Sequence, residues 1–178
     1  AMGVFTPLVS DSDYAQSLQV VVRPKDKRQS YETGIPPKIR VCMDASRNIN
    51  DFGPKWSFRY SDISAVTRML TKGCYCAVID FSKFYLTLPL ARSSRKYCTF
   101  EDPRGGGYRS YRFVPYGLSN APAWASAISS ELCDMFRAAG VLRCNAYIDD
   151  VICMGDTKEE CQRHLDTILR ICSELGVG

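Results

Sequence analysis

The sequence predicts an α+β fold, an antiparallel sheet backed by helices. Three observations point there. Short β-favouring runs bounded by turn residues alternate with two long amphipathic helical stretches. One of the last runs, Leu142 to Tyr147, is followed at once by another, Asp150 to Met154, which makes a tight hairpin. At 178 residues and 46% hydrophobic the chain can bury a real core.

Taken in order, the first nineteen residues are weakly patterned, with one short helix expected around Asp13 to Leu18. Leu18 to Val22 reads as a strand and Ile39 to Met43 as its return. Between them runs a polar loop with Arg23, Lys25, Lys27, Arg28 and Lys38, broken by Gly34 and Pro36-Pro37. Such a loop is a solvated hairpin tip or, beside a carboxylate-metal site, a cationic grip on phosphates. Asp44 to Gly53 is loop-like. Ser61 or Asp62 can cap a helix through Lys72, with Ile63, Val66, Met69 and Leu70 on one side and Gly73 as the stop.

Tyr75 to Asp80 is apolar almost throughout, the pattern of a strand buried on both faces. Asp80 ends it, and a short helical turn from Phe81 to Leu86 follows. Tyr97 to Phe100 and Arg109 to Val114 read as strands around Gly105-Gly106-Gly107, a triplet that fits no phosphate-binding loop. Asn120 caps a helix from Ala121 to Ala139, with Pro122 in its first turn and Gly140 at its end. Asp156-Thr157-Lys158-Glu159 opens a last helix. Its apolar face is Cys161, Leu165, Ile168, Leu169, Cys172 and Leu175, and Gly176 ends it.

Composition narrows the function classes. No run of about 18 apolar residues exists to span a membrane. A net charge of +4, from 23 basic and 19 acidic residues, permits a nucleic-acid partner without demanding one. Nine cysteines without C-x-x-C spacing, and one histidine, His164, argue against a zinc site. They read as small buried thiols of a reducing compartment, so the expected location is intracellular, cytoplasmic or nuclear. His164 sits mid-helix in a solvated or packed role.

The acids carry the chemistry. Asp149 and Asp150 fall at the hairpin turn, where Asp serves either turn chemistry or a divalent cation. Asp80, at the end of a strand that can lie beside that hairpin, is either a cap or a third ligand. Three carboxylates there suit two Mg²⁺ ions roughly 3.5–4 Å apart, the clamp used for in-line phosphoryl transfer. That chemistry requires no nucleophilic side chain.

Four blocks in order then resemble the reverse transcriptases. Lys38 to Asp44 with Arg47 and Asn50 is similar to the fingers segment of that family. Asp80-Phe81-Ser82-Lys83-Phe84-Tyr85-Leu86-Thr87-Leu88-Pro89-Leu90 resembles its first catalytic motif, and Val114-Pro115-Tyr116-Gly117-Leu118-Ser119-Asn120-Ala121-Pro122-Ala123 its second. Tyr147-Ile148-Asp149-Asp150 has its Tyr-x-Asp-Asp form. The wording around Tyr116 is nearest to gypsy-type LTR-retrotransposons or DIRS-like groups.

The resemblance implies a polymerase palm, about residues 61–90 and 120–178, with a fingers subdomain at about 1–60 and 91–119. The family's thumb and RNase H domain are absent, so the chain is expected to be part of a longer polyprotein or enzyme. It implies RNA-directed DNA polymerase activity, weak or lost in this fragment, on an RNA or DNA template with a primer and deoxynucleoside triphosphates. Mg²⁺ would be the cofactor, as two ions held by Asp80, Asp149 and Asp150, with Mn²⁺ able to substitute. Arg40 and Lys25 would contact the triphosphate, Tyr85 would lie under the sugar, and Tyr116 and Gly117 would line the nucleotide pocket. Asp44, Arg47, Asn50, Asn120 and Pro122 would border the template, though turn and cap chemistry also explains them. The spacing from Asp44 to Asn50 departs by one residue from the common retroviral form. Two other readings compete. A domesticated, non-catalytic nucleic-acid-binding or scaffolding domain would have no use for three clustered carboxylates. An RNA-directed RNA polymerase palm is opposed by Tyr85, whose ring would exclude a 2′-hydroxyl.

Overall fold

The computed structural model describes residues 3–7, 9, 15–23, 38–46, 49–60 and 63–177. Lys25, Arg47, most of the cationic loop and the cap candidates Ser61 and Asp62 lie outside the described residues. The chain divides into two compact units. The first comprises Ala1–Lys55 and Leu88–Ala121, the second Trp56–Thr87 and Pro122–Gly178.

In the first unit, β1 (Ala15–Arg23) and β2 (Lys38–Asp44) pair antiparallel from Ser17↔Asp44 to Arg23↔Lys38. Strand β4 (Thr99–Glu101) and strand β5 (Tyr108–Ser110) form a hairpin around the three glycines. The sheet order is β2-β1-β4-β5. Its β1–β4 junction is parallel, through Ala15↔Thr99 and Gln16↔Phe100, so this sheet is mixed. That junction takes up residues expected to be helical: Ala15 to Leu18 are strand, because their backbone joins β4 on one side and β2 on the other. Asp44 to Gly53 is not all loop either; α1 (Ile49–Phe52) is a single helical turn.

Two expected strands here are shorter than their apolar runs. Residues Arg92–Cys98 form a 3₁₀ segment that runs into β4. Beyond β5, Tyr111 and Phe113 make only single bridges, to Phe5 and Pro89. Asp102 organises the hairpin end. It is buried, accepts from Arg104 Nε at 3.1 Å and Nη2 at 3.0 Å, and is also bonded by Arg109 Nε. The Arg104 and then the Arg109 hydrogen bonds hold its carboxyl well below the usual carboxylate range.

The second unit is an antiparallel sheet backed by helices. Its strands are β3 (Tyr75–Asp80), β6 (Cys144–Tyr147) and β7 (Asp150–Gly155), in the order β3-β7-β6. The helices are α2 (Ile63–Met69), α3 (Ala121–Ala138, whose first residue belongs to the first unit) and α4 (Lys158–Leu175). A 3₁₀ turn covers Phe84–Thr87. Thr157 caps α4, its Oγ1 accepting from Glu160 N at 3.1 Å while Glu160 Oε2 accepts from Asp156 N at 2.6 Å. Gly176, at φ +69°, closes that helix in the left-handed conformation.

Burial corrects several expectations. Strand β3 lies at an edge of its sheet and has no buried residue, with Val78 66% exposed. Helix α2 likewise buries nothing, and Ile63 and Leu70 are exposed. On α4 the buried residues are Cys161, Ile168, Ile171 and Cys172, while Leu169 and Leu175 face outward. Leu142 is exposed and precedes β6. All nine cysteines are free thiols; six are buried, but Cys42, Cys74 and Cys76 are not. His164 is packed, its Nδ1 2.8 Å from the Met154 carbonyl.

Candidate active site

Strand pairing brings the acids of the second unit together. Asp80, the last residue of β3, stands opposite Asp150, the first of β7, and Asp150 is also opposite Tyr147 on β6. Directly opposed residues share a face with Cβ atoms about 4.5–5.5 Å apart, so like charges there repel. Asp149 lies one position earlier, in the two-residue turn with Ile148. Its carbonyl accepts from Phe81 N at 2.8 Å, which ties the turn to the chain just after Asp80. Burial pushes the Asp150 carboxyl upward, and the charges of Asp149 and Asp80 push it the same way.

Backbone strain flanks both acid positions. Among the described residues, the non-glycine residues with positive φ are Lys83 and Ile148, both at +56°. Lys83 follows Asp80 by three residues and Ile148 immediately precedes Asp149. For a β-branched side chain this conformation is a true outlier, costing about 1–3 kcal/mol. Hairpin turns that need positive φ at their first residue normally place glycine there.

The oxygen donors of this trio suit a hard cation such as Mg²⁺, and their mutual repulsion is the kind a cation relieves. Even so, among the described residues no set of three His, Cys, Asp or Glu side chains closes on one ion position. The carboxylates are neighbours whose oxygens do not converge. Mg²⁺ takes part of its coordination from substrate phosphates, so a protein-only shell need not close on it. Tyr85 lies on the 3₁₀ turn five residues beyond Asp80 and is half-buried.

A second set of expected residues meets within the first unit. The Arg40 guanidinium lies over the Tyr116 ring, 5.8 Å from its centroid. The Tyr116 carbonyl accepts from Met43 N at 2.7 Å. Gly117 has φ +113°, and a Cβ there would fall 1.9 Å from the Met43 carbonyl oxygen, so only glycine fits. Asn50 holds the same loop twice, donating from Nδ2 to Gly117 O at 2.9 Å and accepting from Ser119 N at 2.9 Å. Asn120 donates to Pro54 O at 2.6 Å. Asp44 accepts from Gln19 Nε2 at 3.0 Å and from Ser46 N at 3.2 Å. Pro122 sits in the first turn of α3.

One residue escaped the sequence reading. Ser129 on α3 is 1% exposed, and its Oγ lies within bonding distance of both the Ala125 carbonyl, at 2.8 Å, and the Ile148 carbonyl. It stands between Ile128 and Ser130-Glu131, where nothing in the sequence marks it out.

An antiparallel sheet that ends in two facing carboxylates with a third in the adjoining turn, backed by helices, is the arrangement of a polymerase palm. Residues 25–178 match the family described as "Reverse transcriptase (RNA-dependent DNA polymerase)", and the chain belongs to that family. It is 29% identical over 168 residues to the "Retrovirus-related Pol polyprotein from transposon gypsy" of Drosophila melanogaster, covering 94% of this chain and 15% of the relative. It is 30% identical over 143 residues to the "Pol polyprotein" of Feline endogenous virus ECE1, covering 78% of this chain and 13% of that one. The chain thus spans under a sixth of the length of either relative. Among solved structures, the foamy viral protease-reverse transcriptase dRH in complex with double-stranded DNA superposes with a TM-score of 0.74. That match is 19% identical and covers 98% of this chain and 27% of that one. The same kind of enzyme with an RNA/DNA hybrid gives 0.71 at 18% identity, covering 97% and 20%. At these identities the likeness concerns the fold. No described helix is long and apolar enough to cross a membrane.

Proposed function

We propose that this chain is the fingers-palm core of an RNA-directed DNA polymerase of a retroelement, extending a primer with deoxynucleotides by metal-assisted phosphoryl transfer. The observation that carries this reading is the rung Asp80–Asp150 with Asp149 in the adjoining turn. Fingers are assigned to about residues 1–60 and 91–119 and palm to about 61–90 and 120–178. The division into compact units at Lys55/Trp56, Thr87/Leu88 and Ala121/Pro122 supports that assignment.

Asp80 and Asp149, with Asp150 alongside, would hold two Mg²⁺ ions, or Mn²⁺ in their place. Bound there, such metals would supply charge neutralisation for the attacking hydroxyl and the leaving pyrophosphate. The protein's own residues do the positioning. Arg40, stacked on Tyr116, is held ready to meet a triphosphate, and Lys25 would assist it. Gly117 gives the nucleotide close access to backbone, and Tyr85 walls off the sugar. Asp44, Arg47, Asn50, Asn120 and Pro122 border the template, with Asn50 shaping the Gly117–Ser119 loop. An RNA or DNA template with its primer and deoxynucleoside triphosphates are the partners. The free thiols fit the reducing interior of a cell. Thumb and RNase H would come from the rest of a longer polyprotein, as the small share of each relative covered suggests.

Primer extension on an RNA template tests the reading, using this chain and a longer chain that adds the family's thumb. Template-dependent extension by either, abolished by Asp149→Asn, is the expected result. Binding of primer-template without extension by either chain would favour the non-catalytic nucleic-acid-binding reading.

A further inference from the structure

The acid turn holds a strained residue at Ile148, and something must hold that strain in place. The two turn residues, Ile148 and Asp149, lie outside the ladder that closes at Tyr147↔Asp150. The peptide leaving Asp149 is already secured, because its carbonyl accepts from Phe81 N at 2.8 Å. The peptide entering Asp149 carries the Ile148 carbonyl. That carbonyl is the one the buried Ser129 hydroxyl reaches from α3.

A hydroxyl has one proton, and Ser129 has two carbonyls within range. The Ala125 carbonyl belongs to a helix, where the N–H four residues on is its regular partner. The Ile148 carbonyl has no such partner by construction, so the proton does most for the turn. Fixing that carbonyl fixes ψ of Ile148 and φ of Asp149 together, and these angles aim the Asp149 side chain.

We propose that Ser129 is a positioning residue for the acid turn: by holding the Ile148–Asp149 peptide it sets where the Asp149 carboxylate points. This rests on the reading of Asp149 as a metal ligand. The clamp compensates for a β-branched residue at a position where glycine would need no help. It belongs to this chain's own side chains, and the pairing of Ser129 with Ile148 is its signature.

Two measurements on the full chain test it. Hydrogen exchange of the segment 146–150 reads the clamp without any metal. Ser129→Ala should speed exchange there by about tenfold, and Ser129→Cys, which keeps volume and a weak donor, by less. Titration with Mn²⁺ alone, following the free-ion EPR signal, reads its consequence. Ser129→Ala should weaken Mn²⁺ binding about tenfold, as loss of a group that orients a ligand does. In an Ile148→Gly background the same substitution should cost much less, because the turn no longer stores strain.

Unchanged exchange in both Ser129 variants overturns the clamp. So does a loss of Mn²⁺ affinity on Ser129→Ala that is equal in the wild-type and Ile148→Gly backgrounds. If Asp149→Asn weakens Mn²⁺ binding and Ser129→Ala does not, the positioning role fails while the metal reading stands. If Mn²⁺ binds neither the wild-type chain nor Asp149→Asn, with or without a deoxynucleoside triphosphate present, the metal reading fails and the positioning role fails with it. The exchange result then decides only whether the turn is clamped.

Discussion

Asp80 and Asp150 face each other across the β3–β7 ladder at the end of a strand pair that runs in unbroken register from Tyr75↔Gly155. Facing carboxylates are unfavourable unless a cation sits between them, so the acid end of this sheet is built against its own stability. Asp150→Asn should therefore raise the melting temperature of the metal-free chain, by about 1 °C given its exposure. Saturating Mn²⁺ should reverse the order, stabilising the wild-type chain more than the variant. A variant that melts lower than wild type in EDTA would contradict the repulsion.

Sugar selection gives a second expectation. Tyr85 is carried by the turn that follows Asp80, and a rigid ring there excludes an added hydroxyl better than an apolar pocket, which discriminates roughly 10²-fold at best. In a chain active in primer extension, Tyr85→Ala should raise ribonucleotide incorporation by roughly 10²-fold while deoxynucleotide use falls modestly. Single-nucleotide incorporation assays with both sugars decide it. Equal loss of both activities together with a lowered melting temperature would make Tyr85 a packing residue instead.

The loop at Gly117 admits a sharper test. An alanine there must both hold φ near +113° and place its Cβ against the Met43 carbonyl oxygen. Gly117→Ala should cost about 4 kcal/mol, lowering the melting temperature by about 10 °C. Gly140 is a matched control, with φ +97° and nothing within 4 Å of an added Cβ. Gly140→Ala should cost only about 1 kcal/mol. Thermal unfolding of the two variants side by side separates the clash from the conformational strain.

Acid stability should report on Asp102. Its carboxyl is held below the ordinary value by Arg104 and then Arg109, so it binds its proton less readily folded than unfolded. A depressed folded value contributes stability above the unfolded value of about 3.8, lost as pH falls through the folded one. Asp102→Asn should thus lower the melting temperature at pH 7. The gap to wild type should narrow as the pH is taken below about 3.8. A gap that stays constant down to pH 2 would remove Asp102 from the acid response.

The strands and helices that carry the site were legible because their signals are local. Tyr75 to Asp80 matches β3 residue for residue, Gly140 and Gly176 end their helices, and the acids fall at the turn. What the sequence hid depends on partners distant along the chain. An apolar run such as Tyr75 to Asp80 reads the same at a sheet edge as at its centre. The stripes on α2 and α4 mark an amphipathic side without saying what covers it. Leu169 is therefore exposed where Ile171 is buried. Ser129 left no periodic trace at all, since its bond joins a helix to a turn nineteen residues away.

Strand β7 has a neighbour on each side, β3 and β6, and Val151, Cys153 and Met154 are fully buried. Its backbone amides are shared between those two neighbours, and the ones bonded to β6 should be slow to take up deuterium. The acid turn is the direct continuation of that strand. Asp150 is consequently carried by a strand paired on both sides, and Asp149 by the turn that joins it to β6. Repeated rounds of chemistry at that end would find the carboxylates returning to one place each time.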